Sequence, residues 1–308
     1  MGTADITAST QRPKVPAADF AFYVDFRKGE GPASRVFAAT HEFIQACQQV
    51  DKALLTSIDS SIETVMVLED IEAASLKTWL RTVLTAADDQ ALKSLNWKPA
   101  VGKYLVRAKY MILRWIEDDE NPRDLRGLRN EIQQLAKESD VRHLPDYPPV
   151  NSKSLISAVT DLQEVKDHLA EGDKASVEVP GEGEVKFNLS MRIPLESLEE
   201  LAVSTTETHT VNSMYLIVKK PDYLGESMWE FRLGSRSINA KIEDKEWLTS
   251  FQGRQVDVRP GDALDCTVRV VMMYDHDNEL LSEKHFVERV RKVLDNRSEQ
   301  LNLLKKDE

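Results

Sequence analysis

The stretch "MMYDHDNELLSEKHF", residues 272–286, places two aspartates and two histidines within a dozen positions. Carboxylates and imidazoles that converge on one point bind metal ions. Asp275, His276 and Asp277 are adjacent, so an extended backbone would point them to alternate faces. Asn278 follows, and Asp and Asn both tolerate left-handed backbone and bond nearby amides. The favoured reading is therefore the tip of a β-hairpin with arms "VRVVMMY" and "LLSEKHF". His285 would then lie roughly 25 Å down the second arm, at ~3.3 Å per residue.

"FRKGEGPASRVF" runs from a strand through a Gly-rich turn into a helix start, a place where phosphates bind. Gly29 and Gly31 fit a dinucleotide fingerprint, but Ser34 stands where its third glycine belongs and Glu30 adds negative charge. No phosphate-loop motif of the G-x-x-x-x-G-K-[ST] type occurs. The turn reads as a connection in which Pro32 opens the helix. Asp146 with Glu164–Lys166 or Glu184–Lys186 has the residue types of a metal-dependent nuclease. Positions 164 and 166 lie in a helical pattern, where i and i+2 do not share a face. Glu184 has no well-placed aspartate before it. The run Glu117, Asp118, Asp119, Glu120 sits where acids disfavour a helix, and it reads as a solvated helix end.

The surface best suited to a ligand is the stripe Lys103, Arg107, Tyr110 and Arg114. Spacings of four, three and four put these on one face of a helix, opposite an apolar face. Three cations and an aromatic ring suit an anionic ligand, RNA, an anionic surface or an acidic partner. The competing reading is a solvated face. No G-x-S-x-G or placeable Cys–His pair points to a nucleophile. The sequence therefore assigns no catalytic residue, no cofactor site and no metal site, and leans away from an enzyme.

The elements that position these residues follow from periodicity. "DFAFYVDFR" (19–27) and "SIETVMVLEDI" (61–71) read as strands, with a helix of apolar spacing between them at Val36, Phe37, Phe43, Ile44, Cys47, Val50 and Leu54. "EAASLKTWLRTVL" fits either a helix or the return arm of a hairpin turning at Ala73–Ala74. The hairpin is preferred, because it supplies a third strand to a sheet that two strands leave marginal. The helix over 101–120 sets Val101, Tyr104, Leu105, Ala108, Met111, Ile112, Trp115 and Ile116 on one apolar face. The next is expected to start with Asn121 as its cap and Pro122 at its first position. "DVRHLPDYPPVNSK" (140–153), with three prolines, reads as a linker. A helix capped by Ser154 follows, "DKASVEVPGEGE" reads as loop, and the remainder as strands, "RQVDV" among them, with short helices at "PLESLEELAV" and "DKEWLTSFQ".

The expected architecture is α+β. A flexible tail (1–17) precedes a small sheet with packed helices (18–139). The linker (140–153) leads to a β-rich domain (154–296), a mainly antiparallel barrel or sandwich with a preceding helix, and a tail (297–308). At 308 residues the chain is long enough for two such cores.

Composition narrows the function classes. No apolar run approaches the ~18 residues of a membrane-spanning helix, and the N-terminal stretch lacks the apolar core of a secretory signal. Cys47 and Cys266 fall in apolar patterns with no partner spacing, which suits buried thiols in a reducing, cytoplasmic setting. The net charge is −12, and residues 151–308 hold 21 basic against 30 acidic side chains. That balance disfavours nucleic acid, whose binding draws on Lys and Arg. The partner expected is another protein or a second copy of the chain, with nucleic acid as the alternative and a dispersed carboxylate hydrolase after it.

Overall fold

The structure is a computed structural model describing residues 18–27, 29, 31–32, 34–72, 76–86, 97–118, 123–140, 144 and 146–295. Contacts divide the chain into two compact units, Met1–Leu201 and Ala202–Glu308.

The first unit is helices on an antiparallel sheet. Strands β1 (Phe20–Asp25), β2 (Ile62–Glu72), β3 (Leu76–Ala86), β4 (Lys174–Val179) and β5 (Gly183–Lys186) lie in the order β2-β3-β1-β4-β5. Residues 76–86 are thus a strand, paired with β2 from Glu72↔Lys77 to Ile62↔Ala86. The expected turn at Ala73–Ala74 lies outside the described residues. β1 is central and almost wholly buried, which explains its aromatic, nearly non-alternating sequence. Helices α1 (Ser34–Thr56) and α2 (Trp97–Glu117) cover the face carrying Phe20 and Phe22. Phe43 of α1 stacks on Phe22 with ring centroids 4.2 Å apart.

Several boundaries differ from the expectation. Helix α3 (Leu125–Ser139) takes Asp124 as its N-cap, so it begins after Asn121 and Pro122, which lie outside the described residues. Helix α4 (Ser152–Glu164) is capped by Asn151, whose side chain accepts from the Ser154 N–H, so Ser154 is the donor rather than the cap. A 3-10 turn, Val165–His168, ends that segment.

The proline-rich stretch 140–153 does not coincide with the division of the chain. "DKASVEVPGEGE" contains β4 and the turn into β5, and β4 pairs with β1 across the sequence (Phe22↔Val177). Ala175, Val177 and Val179 are buried there, so β4 and β5 complete the first sheet and residues 154–201 belong to the first unit. Asp173 secures the entry to β4. Its carboxylate pairs with Arg35 and accepts N–H bonds from Ala170 (2.9 Å) and Arg27 (3.3 Å).

The second unit is a closed five-stranded barrel. Its strands are β6 (Thr205–Lys220), β7 (Trp229–Leu233), β8 (Arg236–Ile242), β9 (Ala263–Tyr274) and β10 (Leu280–Leu294), in the order β10-β8-β7-β6-β9. Helix α5 (Leu195–Ala202) precedes it, and α6 (Lys245–Gln252) connects the third and fourth strands. Four of the five pairings are antiparallel. β8 and β10 close the barrel in parallel, at His285↔Ala240 through Val287↔Ile242. The first strand pairs with the second and the fourth, the third lies parallel to the fifth, and a helix follows the third. Leu216, Val218, Trp229, Phe231, Leu264, Cys266 and Val268 fill it. "RQVDV" is irregular chain leading into β9 rather than a strand.

Candidate partner-binding surfaces

The opening stretch is a hairpin tip. Asp275 ends the β9 arm with its side chain buried, and its Oδ1 accepts the N–H groups of Asp277 (2.8 Å) and Glu279 (2.9 Å). Asn278 takes φ 60°, the left-handed conformation the turn needs. His276 and Asp277 face solvent. His285 sits in the β10 wall opposite Val270, buried, 3.1 Å from Glu283.

The other chemistry-bearing residues are dispersed. Asp146 is exposed and pairs with Lys137 at 2.9 Å. Glu164 is exposed at the end of α4, while Lys166 is buried against Glu117 at 2.8 Å. Glu117 therefore leaves the acidic run: its side chain is 5% exposed rather than solvated. Among the described residues no three His, Cys, Asp or Glu side chains are grouped to hold a metal ion. Cys47 and Cys266 are buried, and burial pushes both thiols up to about 12.

The basic stripe on α2 is partly used within the unit. Arg107 pairs with the Glu182 carboxylate at 3.1 Å, and the Tyr110 hydroxyl donates to the Glu182 carbonyl at 3.0 Å. Both hold the β4–β5 turn, where Gly183 has φ +130° and a Cβ would approach the Tyr110 hydroxyl to 3.0 Å. Arg114 lies over the Tyr110 ring at 5.9 Å, and Lys103 and Arg114 are exposed. An open groove of about 790 Å³ runs along Arg107, Tyr110 and Arg114. Its cations are Arg107, Arg114 and Lys186, against the carboxylates of Glu117, Asp118, Glu131, Glu182 and Glu184. A second groove of about 660 Å³ reaches Lys103 with Lys98, Arg81, Asp19 and Glu182. The stripe thus joins surfaces of mixed charge, the first with more carboxylates than cations. That suits a polyanion poorly.

Among the described residues, β2 and the first half of β6 each lack a strand on one side; the sequence offers the edge of the β-rich domain as a partner surface, and it does not single out β2. β2 is the terminal strand of its sheet and pairs only with β3 among the described strands. Val65, Leu68 and Ile71 on it are 52%, 51% and 47% exposed. In β6, residues 205–213 are exposed at every position. They pair with β9 on one side, and β7 joins β6 only from Ile217 onward. The signal in β2 was present as apolar residues on both strand faces. In "TTETHTVNS" it was β-branched composition alone, without alternation.

The loop from β6 to β7 projects apolar side chains. Leu224 is 97% exposed, with Tyr223 and Met228 beside it. Asp222 fixes the loop by accepting from the N–H groups of Leu224, Gly225 and Ser227, each at 3.0 Å. The Gln252 side chain of α6 donates to the Gly225 carbonyl at 2.8 Å.

No family model, curated protein or solved structure matches the chain. No described helix is long and apolar enough to cross a membrane.

Proposed function

We propose that the chain is a non-enzymatic interaction protein of the cytoplasm, an adaptor or accessory subunit that takes a partner's strand onto the β2 edge. The observation that carries this is the exposure of Val65, Leu68 and Ile71 on a terminal strand of eleven residues. Sheet edges are ordinarily blunted by charged side chains, proline, a β-bulge or a covering element. β2 has neither lysine nor proline; its charges are the carboxylates of Glu63, Glu69, Asp70 and Glu72, and its register shifts between Leu68 and Asp70, so a partner strand with basic side chains fits it best. Its outer backbone groups have no strand partner among the described residues and suit strand addition, with the apolar side chains supplying contacts for alternate partner residues. The test is quantitative affinity purification from the native host, comparing the parent chain with Val65→Lys/Leu68→Lys. Both positions are exposed, so the double variant is expected to fold. A stoichiometric protein companion retained after nuclease treatment and lost in the variant supports the reading. Absence of any such companion at native expression overturns it.

A second reading, a nucleic-acid-binding accessory protein, draws on the barrel. The five-stranded barrel resembles the OB barrel, which binds oligonucleotides and oligosaccharides across its second and third strands, although fold alone does not assign function. Residues 202–295 hold 13 basic and 16 acidic side chains, whereas 151–201 hold 5 and 11. The acidity that argued against nucleic acid therefore lies mostly outside the barrel. Arg232, Arg236 and Lys241 lie on the second and third strands, and Tyr215 is exposed on the first. Anisotropy of a labelled single-stranded oligonucleotide should then fall with salt and with Arg232→Glu/Lys241→Glu, and Lys103→Glu/Arg107→Glu should leave it unchanged. No binding at low salt removes this reading.

A further inference from the structure

The open half of β6 has a different character from β2. Of residues 205–213, "TTETHTVNS", only Val211 is apolar, and neither lysine nor proline blocks the edge. An apolar partner strand would gain little there. The stretch is, however, complementary to itself. Laid antiparallel against a second copy with Thr208 on the two-fold axis, Glu207 falls opposite the second copy's His209, and His209 opposite its Glu207. Thr206 falls opposite Thr210 on the other face. Opposite-charge and Thr–Thr pairs are favourable cross-strand neighbours. Glu207 and His209 share one face and already meet at 3.4 Å within the strand, so both can turn toward a strand alongside. A shift of the axis to His209 would set imidazole against imidazole and Glu207 against Val211, which loses both charge pairs.

We propose that the chain forms a two-fold homodimer by antiparallel pairing of the open half of β6, with Thr208 at the axis. The occupant of this edge is a second copy because the charge pattern is matched by its own reversal. Such an isologous contact closes on itself and uses up the open part of β6. It is independent of the β2 surface.

The experiment is sedimentation equilibrium of the full chain, whose monomer mass is 34.9 kDa. The parent should be dimeric at tens of micromolar. His209→Glu sets glutamate against glutamate twice and should raise the dissociation constant by roughly tenfold or more. Glu207→His/His209→Glu exchanges the two members of each pair and should restore the dimer. Thr208→Cys should form an interchain disulfide on oxidation. Thr206→Cys should not, because the two copies of position 206 lie about 13 Å apart in this register. The native thiols are buried and do not compete. A monomeric parent, failure of the exchange to restore association, equal crosslinking at 206 and 208, or dissociation by Val65→Lys/Leu68→Lys would each overturn the inference. The last of these would move self-association to β2.

Discussion

Lys166 and Glu117 meet at 2.8 Å with side chains 0% and 5% exposed, joining the end of α2 to the 3-10 turn after α4. The lysine also donates to the carbonyls of Asn188 (3.0 Å) and Met191 (3.1 Å). The Asn188 N–H returns a bond to Glu117 at 2.7 Å. Burial pulls the lysine below its ordinary range, and Glu117 opposes that pull. The pair therefore acts as a fastener for a loop with no regular structure of its own.

Removing one member strands the other charge in the interior. Lys166→Met and Glu117→Gln should each lower the stability of the first unit by about 3–5 kcal/mol, the usual loss when a buried ion pair is broken. The double variant should lose less than the sum, with a coupling above about 1 kcal/mol in a urea-unfolding cycle. Additive losses would mean that the pair is neighbours rather than a coupled unit.

Neither residue was legible in this role, and the reason is physical. A charged residue in a helical pattern reads as solvent-facing unless its partner is known, and these partners lie 49 positions apart in sequence. The same limit hid Glu182, which takes up Arg107 and Tyr110 of the stripe from a turn 72 residues beyond Tyr110. Local periodicity served well where burial is one-sided, as in α1, α2, β9 and β10. It failed at β4, where Pro180 and the four glycine and glutamate positions after it suggested loop and the deciding contact, with β1, is non-local. The barrel was legible as a run of strands. Its closure was not, because the parallel β8–β10 pairing leaves no local mark.

His285 gives the barrel a pH dependence. It is buried in the β10 wall, and burial foremost lowers its affinity for a proton from the ordinary 6.5, with Arg236 adding to this and Glu283 opposing it. The folded state thus holds the ring neutral, while the unfolded chain takes up a proton near 6.5. Where the unfolded state binds more protons, stability rises with pH. The contribution is complete above pH 6.5 and is lost as pH falls toward the folded value. Between pH 6.5 and 5.5, denaturant unfolding of the barrel should lose up to about 1.4 kcal/mol per pH unit from this group. His285→Gln should flatten that slope while carboxylates remain ionised. Parallel curves for parent and variant would remove His285 as the cause.

The loop carrying Leu224 is held by one carboxylate. Asp222 accepts three backbone N–H groups and the Ser227 hydroxyl, and these bonds hold it well below the usual carboxylate range. The Ser227 hydroxyl is the foremost cause, followed by the N–H groups of Leu224 and Ser227. An aspartate so used fixes a turn, and a fixed turn presents Leu224 with little ordering left to do on binding. Asp222→Ala should therefore leave the barrel folded, because Trp229 and Phe231 still fill its core. Amide hydrogen exchange at Leu224, Gly225 and Ser227 should accelerate by at least tenfold. Exchange in β7 and β9 should be unchanged. Acceleration spread through β7 would mean that Asp222 supports the barrel as a whole, and no change at Leu224 would mean that Gln252 alone holds the loop.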